Sequence, residues 1–388
     1  MAALDLVDRV RTRLAGREAD MSAAAVAEAV RAEADGVLGD GDVLAALTLL
    51  EQEFVGAGPL DPLLRDPATT DVLVTGPDQV WVDGADGLRR TGVRFTDEDA
   101  VRRLAQRLAM SAGRRLDDAQ PYVDGWLPTT GGRVRMHAVL APIAAAGTCL
   151  SLRVLRPASH DLTALRALGT FDDAVHHLLD AIITARLAFL VSGGTGSGKT
   201  TLLAGLLGRV PPTERIVCVE DAGELEPGHP QFVRLLARPP NVEGAGEVTL
   251  RDLVRQGLRM RPDRIVVGEV RGAEVCDLLS ALNTGHDGGA GTVHANAPAE
   301  VPARLEALAA LGDLSRTALH SQFAAAVHVI LHMRRLGAGE RRLTEIGVVV
   351  RPAGGVTVHP VWRAGEWAEG RADLDRLLVG RGGRPCGG

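Results

Sequence analysis

The sequence predicts an α/β protein with a mainly parallel sheet, preceded by a smaller α+β domain and an N-terminal helical segment. From residue 172 onward, apolar strand-like runs alternate with amphipathic helical stretches, the order that builds a parallel sheet covered by helices. Before that point, short runs of alternating polarity surround one amphipathic helix. The first 55 residues carry apolar side chains at three- and four-residue spacing, which is typical of helices.

The predicted domain limits follow these changes of pattern. We expect a helical segment at 1–55, an α+β domain at 56–156, a linker or hinge with little regular structure at 157–171, the parallel-sheet domain at 172–368 and a mobile Gly/Arg-rich tail at 369–388.

The elements of the smaller domain are bounded by Gly, Pro and Asp residues. Its predicted strands are Asp71–Val74, Gln79–Asp83, Arg133–Leu140 and Cys149–Leu155. Its predicted helix is Asp97–Met110, with Thr96 as the N-cap and acidic residues in the first turn.

The elements of the larger domain alternate in type. The predicted strands are Leu187–Val191, Arg215–Val219, Arg264–Val267, a short run near Thr292, Val327–Met333 and Leu343–Val350. The predicted helices are Asp173–Arg186, Lys199–Leu207, Leu250–Met260, Ala273–Asn283, Val301–Leu311 and Thr317–Ala326.

Composition narrows the class of function. The chain of 388 residues has a formal net charge of −6 and 3% aromatic residues. Net acidity argues against a wholly basic nucleic-acid surface, and so few aromatic side chains weaken a single-strand platform of stacked bases. No apolar stretch approaches the roughly 20 residues that a membrane-spanning helix needs, and the N-terminus does not resemble a signal peptide. Four scattered cysteines without metal-like spacing fit a reducing compartment, so we expect a cytoplasmic protein.

Lysine occurs once, at Lys199, in a chain that uses arginine for every other basic residue. Arginine is a planar fork, whereas lysine is a compact ammonium on a flexible stem. The exception therefore marks a position where arginine does not serve.

Lys199 belongs to the segment GGTGSGKT, which fits the phosphate-binding loop pattern GxxxxGK[ST] and lies between an apolar run and a helix. The glycines let successive backbone N–H groups point into one concavity around phosphates, and the helix N-terminus adds partial positive charge. We expect Lys199 to contact the β- and γ-phosphates of ATP and the Thr200 hydroxyl to bind Mg²⁺. The predicted nucleotide-binding residues are Gly193, Gly194, Thr195, Gly196, Ser197, Gly198, Lys199, Thr200 and Thr201.

Acidic and histidine side chains follow the neighbouring predicted strands. Glu220, with Glu224 shortly after it, and Glu269 come after apolar strands, where ligands of open α/β sheets bind. We expect one acid to polarise the attacking water and another to hold hydrated Mg²⁺. His286 and His294 flank the short strand near Thr292; we expect His286 to help bind the nucleotide and His294 to act in catalysis, although a lone histidine is more often structural.

Together these segments resemble secretion and pilus-assembly ATPases of the type II/type IV secretion superfamily, above all its Tad (tight adherence) pilus branch with the conjugal-transfer-associated members of actinobacteria. The resemblance covers most of residues 50–350. It rests on GGTGSGKTT (193–201), on VCVEDAGEL (217–225) as the Asp box, on LRMRPDRIVVGEVRG (258–272) as the Walker B region, on NTGHDGGAGTVHAN (283–296) as the His box and on the opening segment 56–84.

The resemblance implies a RecA-like ATPase domain behind an N-terminal domain, with ATP bound where the two domains meet. It also implies a homohexamer at the cytoplasmic membrane face, attached through inner-membrane secretion or pilus platform proteins, with no direct nucleic-acid partner. On this pattern Glu269 is the Walker B acid and holds Mg²⁺ with Thr200, partly through water, while Glu220 assists the attacking water. Gly268 stands where most P-loop enzymes have aspartate, which is itself similar to this family.

Several arginines are candidates for arginine fingers. Such residues are expected because charge developing on the γ-phosphoryl group needs cations delivered in cis or in trans. Arg133 and Arg135 resemble the family's N-domain arginines, and Arg153 and Arg271 are further candidates. Arg251, Arg255 and Arg259 share one predicted helix face. Solvated surface charge is the competing interpretation for each of them.

Three functions remain open on the sequence alone. The favoured one is an ATPase motor that drives pilus assembly or secretion through membrane partners. The first alternative is a nucleic-acid motor of the RecA/helicase kind, favoured only by the arginine stripe 251/255/259. The second is a nucleotide-gated assembly adaptor with weak hydrolysis.

Overall fold

The computed structural model describes residues 10, 28–30, 32–33 and 56–385, apart from 85–86, 130–131, 156–159, 242–243, 338 and 353–354. The chain divides into two compact units, Met1–Arg156 and Pro157–Gly388. Most of the predicted N-terminal helical segment lies outside the described residues; the few described there are helical.

The alternating strands of the first unit form a six-stranded antiparallel sheet in the order β3-β2-β1-β6-β5-β4. Its elements are α1 (Asp61–Arg65), β1 (Thr69–Val74), β2 (Val80–Gly84), β3 (Arg89–Arg90), α2 (Glu98–Ser111), β4 (Tyr122–Thr129), β5 (Gly132–Val139) and β6 (Cys149–Leu155), with a 3₁₀ turn at Gly58–Leu60. The alternation buries one face of the sheet against the apolar side of α2 and leaves the other polar. The N-cap of α2 is Asp97, which accepts the Ala100 N–H at 2.7 Å, so the prediction of Thr96 was wrong by one residue.

The second unit holds a nine-stranded sheet in the order β15-β14-β13-β12-β7-β11-β10-β8-β9. Its strands are β7 (Phe189–Gly193), β8 (Ile216–Glu220), β9 (Phe232–Leu236), β10 (Arg264–Val270), β11 (Ala290–Val293), β12 (Val329–Arg335), β13 (Arg341–Val350), β14 (Thr357–Arg363) and β15 (Glu366–Trp367). Its helices are α3 (Leu162–Ala167), α4 (Asp173–Thr184), α5 (Lys199–Leu207), α6 (Leu250–Gly257), α7 (Glu274–Leu282), α8 (Val301–Ala310), α9 (Arg316–Ala326) and α10 (Arg371–Gly380).

Six strands, from β12 to β9, run parallel, and β13 to β15 extend the sheet as an antiparallel edge. Every residue of β7 and of β8 is buried, because two apolar cores cover the two faces of the sheet. β7 lies between β12 and β11 in the middle of the sheet, so the loop that follows it opens at the carboxyl edge, where ligands of such sheets bind.

Two segments expected to lack regular structure contain packed helices. α3 lies inside the predicted linker, and α10 lies inside the predicted mobile tail. Both contribute side chains to the same core of the second unit, namely Leu162, Leu165, Leu374 and Leu378. A spacing of three or four residues between two leucines is enough to bury one helical face, and such a short pattern carries little signal in a polar or glycine-rich stretch.

Across the part of the chain that the structure describes, none of the helices combines the length and the apolar character needed to traverse a lipid bilayer.

The acid sensitivity of the second unit can be predicted from His328, which precedes β12. Its Nδ1 accepts the Ala188 N–H at 3.1 Å, and the Arg381 guanidinium lies 3.2 Å from its Nε2. Burial, then the charge of Arg381, lowers the pKa of His328 from 6.5 to about 4. Because the folded-state pKa is depressed, the stability contributed by the neutral ring is present above the unfolded-state pKa and is lost as pH falls toward the folded-state pKa.

We expect this group to cost the unit about 2 kcal/mol of unfolding free energy between pH 7 and pH 5. Denaturant unfolding at the two pH values measures the effect. His328→Asn, which offers an acceptor but does not titrate, should remove that share of the pH dependence. An identical pH dependence in both proteins would contradict the assignment.

Candidate active site

The phosphate loop follows β7 and is shaped by two glycines at which any other residue would strain the backbone. Gly193 has φ +149°, and a Cβ there would meet the Met333 carbonyl oxygen at 2.3 Å. Gly198, with φ +93°, is the N-cap of α5. Ser197 closes the loop by donating its hydroxyl hydrogen to the Gly194 carbonyl at 2.9 Å. The strand–loop–helix context predicted from the motif is therefore present.

Lys199 is held inside this loop. Its Nζ donates to the Gly194 carbonyl at 2.9 Å and lies 3.4 Å from Nε2 of His294. The residue is 7% exposed, and this burial lowers the pKa of its ammonium, although the Glu269 carboxylate counteracts the effect. The compact ammonium therefore lies between the loop backbone and the acid at the end of β10.

Glu269 is the centre of the charged groups at this edge. Its carboxylate contacts the Arg271 guanidinium on one side and the His294 ring on the other. Burial would raise the pKa of Glu269, but Arg271, His294 and Lys199 outweigh it, so its pKa lies below the usual value. Burial and the neighbouring Lys199 lower the pKa of His294. A charged carboxylate and a neutral imidazole thus face the loop at neutral pH.

Thr200 and Glu224 provide oxygen atoms beside the loop. The Thr200 hydroxyl oxygen lies 3.5 Å from Oε2 of Glu224. Mg²⁺ binds oxygen ligands, usually one or two protein oxygens together with waters and substrate phosphates, so this pair fits such an ion. When bound, the ion would offset charge on the phosphate oxygens. Glu224, one of the three predicted acids, is therefore placed beside the Thr200 hydroxyl.

Comparison with known proteins identifies the family of this chain. Residues 53–357 match the family described as type II/IV secretion system protein. The chain belongs to this family. A putative conjugal transfer protein of Mycobacterium tuberculosis is 67% identical over 349 residues, which cover 89% of this chain and 99% of the relative. Type IV secretion system protein PtlH of Bordetella pertussis is 31% identical over 316 residues, covering 73% of this chain and 91% of the relative.

A solved structure supports the fold of this secretion-family chain. The Legionella pneumophila ATPase DotB superposes with a TM-score of 0.53 at 20% identity, covering 74% of this chain and 79% of that one. At this identity the likeness shows the fold alone. The predicted α/β, RecA-like architecture is confirmed, and with the family and the phosphate loop the chain is an ATPase that binds a nucleotide.

Glu220 has a different position from the one expected of a residue that assists the attacking water. It is the last residue of β8, is 4% exposed, and its Oε1 accepts the N–H groups of Glu224 and Leu225 at 2.9 and 3.0 Å. Its Oε2 lies 3.3 Å from Nε of Arg234. Burial raises the pKa of Glu220. The carboxylate is engaged inside the protein, and we infer that it positions the turn that carries Glu224.

Substitutions at Glu220 separate these two roles. Glu220→Ala leaves two backbone N–H groups unpaired, so we expect a loss of about 2 kcal/mol of unfolding free energy together with reduced ATP turnover. Glu220→Gln keeps an acceptor oxygen and should retain most of the turnover, with stability within about 1 kcal/mol of the parent protein. Thermal unfolding and phosphate release measure the two quantities. A complete loss of turnover in a stable Glu220→Gln protein would restore the role in activating water.

The Walker B region carries Gly268 for a steric reason. A Cβ at Gly268 would lie 2.6 Å from Cγ of Glu220 on the neighbouring strand, so the buried Glu220 excludes a side chain there. Thr292 also packs against this position, donating its hydroxyl hydrogen to the Gly268 carbonyl at 2.7 Å. The absence of aspartate at 268 follows from the placement of Glu220 one strand away.

His286 is not placed with the phosphate loop of its own chain, and its role in nucleotide binding stays a prediction. Its Nδ1 lies 3.1 Å from the Ala281 carbonyl at the end of α7. The following residues lead into the amino end of β11, where the Gly289 carbonyl accepts the N–H of Phe189, the first residue of β7. The loop and His294 lie at the carboxyl ends of these parallel strands, so His286 belongs to the opposite edge of the sheet.

The candidate arginines of the first unit share one face of its sheet. Arg133 and Arg153 are exposed, whereas Arg135 is half-buried and is registered opposite Arg153. Arg135 donates to both oxygens of Asp124 at 3.0 and 2.8 Å, and Arg153 donates to Asp71 at 2.8 Å. The role of Arg133 and Arg153 as fingers stays a prediction.

The arginine stripe of the second unit is built into the packing of two helices. Arg251 and Arg255, on α6, donate to the two carboxylate oxygens of Asp277, on α7, at 2.7 and 2.8 Å. Arg259 donates to the Arg255 carbonyl at 3.0 Å. These contacts support a structural role for the stripe.

Three contacts of the site lie beyond local sequence patterns. Arg341, at the start of β13, donates from Nε to the Gly196 carbonyl of the phosphate loop at 3.1 Å. Ser192, directly before the loop, has its hydroxyl 2.9 Å from Nδ1 of the buried His332 on β12. Arg234 lies against Glu220. Each pair joins residues that are distant along the chain, so no short motif could have indicated them.

Proposed function

We propose that this ATPase is a motor of a secretion or Tad-type pilus-assembly machine. In this proposal MgATP binding and hydrolysis at Lys199 drive domain movements that reach inner-membrane platform proteins. The observation that carries it is the cluster of Lys199, Glu269 and His294 around the phosphate loop, in a chain that matches the secretion family from residue 53 to residue 357.

The assembly that we propose is a homohexamer on the cytoplasmic face of the membrane. The hinge that we propose lies at the boundary between the two units, before α3, because α3 packs in the core of the second unit. Arg133 and Arg153 are our candidates for fingers that neutralise charge on the γ-phosphoryl group. Both arginines lie on the same face of the six-stranded sheet, and both are exposed, which supports this assignment.

Co-purification from membranes tests the proposal. The parent protein and Lys199→Ala, each carrying the same affinity label, are recovered from detergent-solubilised membranes, and the integral proteins that travel with them are identified. We expect secretion or pilus platform proteins to be enriched. The amount recovered should change with added ATP for the parent protein and should not change for Lys199→Ala. Recovery of no integral membrane protein with either form would contradict the motor assignment.

The two alternatives predict different outcomes in solution. A nucleic-acid motor would show DNA-stimulated ATP turnover that falls steeply with salt, and the pairing of Arg251 and Arg255 with Asp277 argues against it. A nucleotide-gated adaptor would form the same rings in Glu269→Gln as in the parent protein and would support assembly without turnover.

A further inference from the structure

His332 is a buried histidine beside the start of the phosphate loop, and the chemistry described above gives it no role. It lies on β12 and is 3% exposed. Burying a polar ring costs free energy unless its nitrogens are hydrogen-bonded. The partners of the two nitrogens therefore indicate which parts of the site this residue joins.

The register of the sheet places His332 level with the point where the phosphate loop begins. β7 lies between β11 and β12, and Ser192 of β7 is registered opposite Val293 on one side and His332 on the other. Ser192 directly precedes the loop, and Val293 directly precedes His294. The three registered residues thus form one row at the base of the active site.

One ring nitrogen of His332 holds the residue before the loop. Its Nδ1 lies 2.9 Å from the hydroxyl oxygen of Ser192, which is fully buried. Met333, the next residue of β12, also packs closely here, since a Cβ at Gly193 would meet its carbonyl oxygen at 2.3 Å. The end of β12 therefore supports the backbone where the chain leaves β7 and enters the loop.

The other ring nitrogen faces the segment that carries His294. Burial lowers the pKa of His332, and a hydrogen bond with the Asn296 backbone opposes this effect. The Asn296 N–H donates to Oε2 of Glu300 at 3.3 Å, so it is the Asn296 carbonyl that accepts from the ring. A neutral imidazole has one N–H donor and one acceptor nitrogen. With Nε2–H directed at Asn296, Nδ1 accepts the hydroxyl hydrogen of Ser192.

These two contacts join opposite sides of the active site. Ser192 leads into the phosphate loop, and Asn296 lies two residues after His294. The His294 ring contacts the Glu269 carboxylate and lies 3.4 Å from Nζ of Lys199. A displacement of the Asn296 backbone would therefore move the His294 ring relative to both groups.

We propose that His332 is a positioning residue for ATP hydrolysis, which ties the segment that carries His294 to the start of the phosphate loop. The inference rests on ATP turnover at Lys199 and does not depend on the proposed membrane partners. Because the ring is buried and acts through its two contacts, its loss should slow hydrolysis more than it weakens ATP binding.

Two substitutions separate the two contacts of the ring. His332→Asn keeps an acceptor close to the position of Nδ1, for Ser192, but its side chain is too short to reach Asn296. His332→Gln is long enough to donate from its amide to Asn296, as Nε2 does. His328→Asn is the matched control, because His328 also contacts the backbone at β7, accepting the Ala188 N–H at 3.1 Å, but at the opposite edge of the sheet.

Three quantities are measured on the full chain. Single-turnover phosphate release gives the rate of hydrolysis, displacement of a fluorescent ATP analogue gives affinity, and thermal unfolding shows that each variant folds. We expect His332→Asn to hydrolyse ATP at least about tenfold more slowly than the parent protein, with a dissociation constant for ATP within about threefold. His332→Gln should keep its rate within about threefold. His328→Asn should hydrolyse ATP like the parent protein.

A double-mutant cycle with His294→Ala distinguishes positioning from a general effect on the fold. If His332 acts through His294, His332→Asn should cause no further loss of turnover in the His294→Ala background. Additive losses in the double variant would overturn the inference. So would a folded His332→Gln protein that hydrolyses ATP as slowly as His332→Asn, or an equal loss in His328→Asn.

Failure of the site itself is recognised separately. Lys199→Ala is measured alongside the other variants. If it retains the turnover of the parent protein, hydrolysis does not depend on this loop, and the assignment of the site fails independently of His332.

Discussion

Replacement of Lys199 by alanine is expected to lower ATP turnover by at least about a hundredfold while the second unit stays folded. The ammonium is the one cation held within the loop itself, hydrogen-bonded to Gly194 and facing Glu269. Without it, negative charge that develops on the transferred phosphoryl group loses its nearest partner. Phosphate release at saturating ATP measures turnover, and circular dichroism with thermal unfolding measures the fold. Near-normal hydrolysis by a folded variant would contradict the site.

The Lys199→Arg variant tests whether any cation is sufficient at this position. A surface lysine tolerates arginine, but Lys199 is 7% exposed and must fit beneath a tight backbone loop. The broader planar guanidinium cannot replace a compact ammonium there, so we expect turnover to fall almost as far as in the alanine variant. Retained turnover would show that any cation suffices at this position and that the lone lysine has no steric cause.

Glu269→Gln should separate nucleotide binding from hydrolysis. The substitution keeps the shape of the side chain but removes the charge that contacts Arg271 and His294 and faces Lys199. We expect turnover to fall by at least about a hundredfold, because the amide at position 269 can neither accept a proton from water nor balance the charges of Arg271 and Lys199.

The affinity of Glu269→Gln for ATP should stay within about fivefold of the parent value, since the loop, Lys199 and Thr200 remain in place. Displacement of a fluorescent ATP analogue measures affinity, and single-turnover phosphate release measures chemistry. Parallel loss of binding and turnover would mean that Glu269 holds the loop together. Unchanged turnover would remove it from the reaction.

The phosphate loop was predictable because all of its information is local. Glycines at fixed offsets, one lysine and one threonine between a strand and a helix specify both the backbone shape and the chemistry. The alternation of strands and helices likewise predicted the parallel sheet, since that order leaves few other arrangements.

Glu220 and His286 show where local patterns stop. The strand predicted to end at Val219 continues to Glu220, and one residue of register decides whether the side chain faces the site or the interior. His286 and His294 flank a strand of only four residues, Ala290–Val293, so the pattern groups two side chains that the fold places at opposite edges. Arg341 reaches Gly196 across 145 residues of sequence, a contact that only the order of strands in the sheet creates.

Acylation of Lys199 in the presence and absence of MgATP tests the central claim most directly. An amine-acylating reagent can modify only this side chain and the α-amino group, and burial lowers the pKa of Lys199, which favours the reactive neutral amine. Peptide mass spectrometry quantifies both sites, with the α-amino group as the internal control. Saturating MgATP is expected to protect Lys199 strongly and to leave the α-amino group unaffected. Equal labelling of Lys199 with and without MgATP would contradict nucleotide binding at this loop.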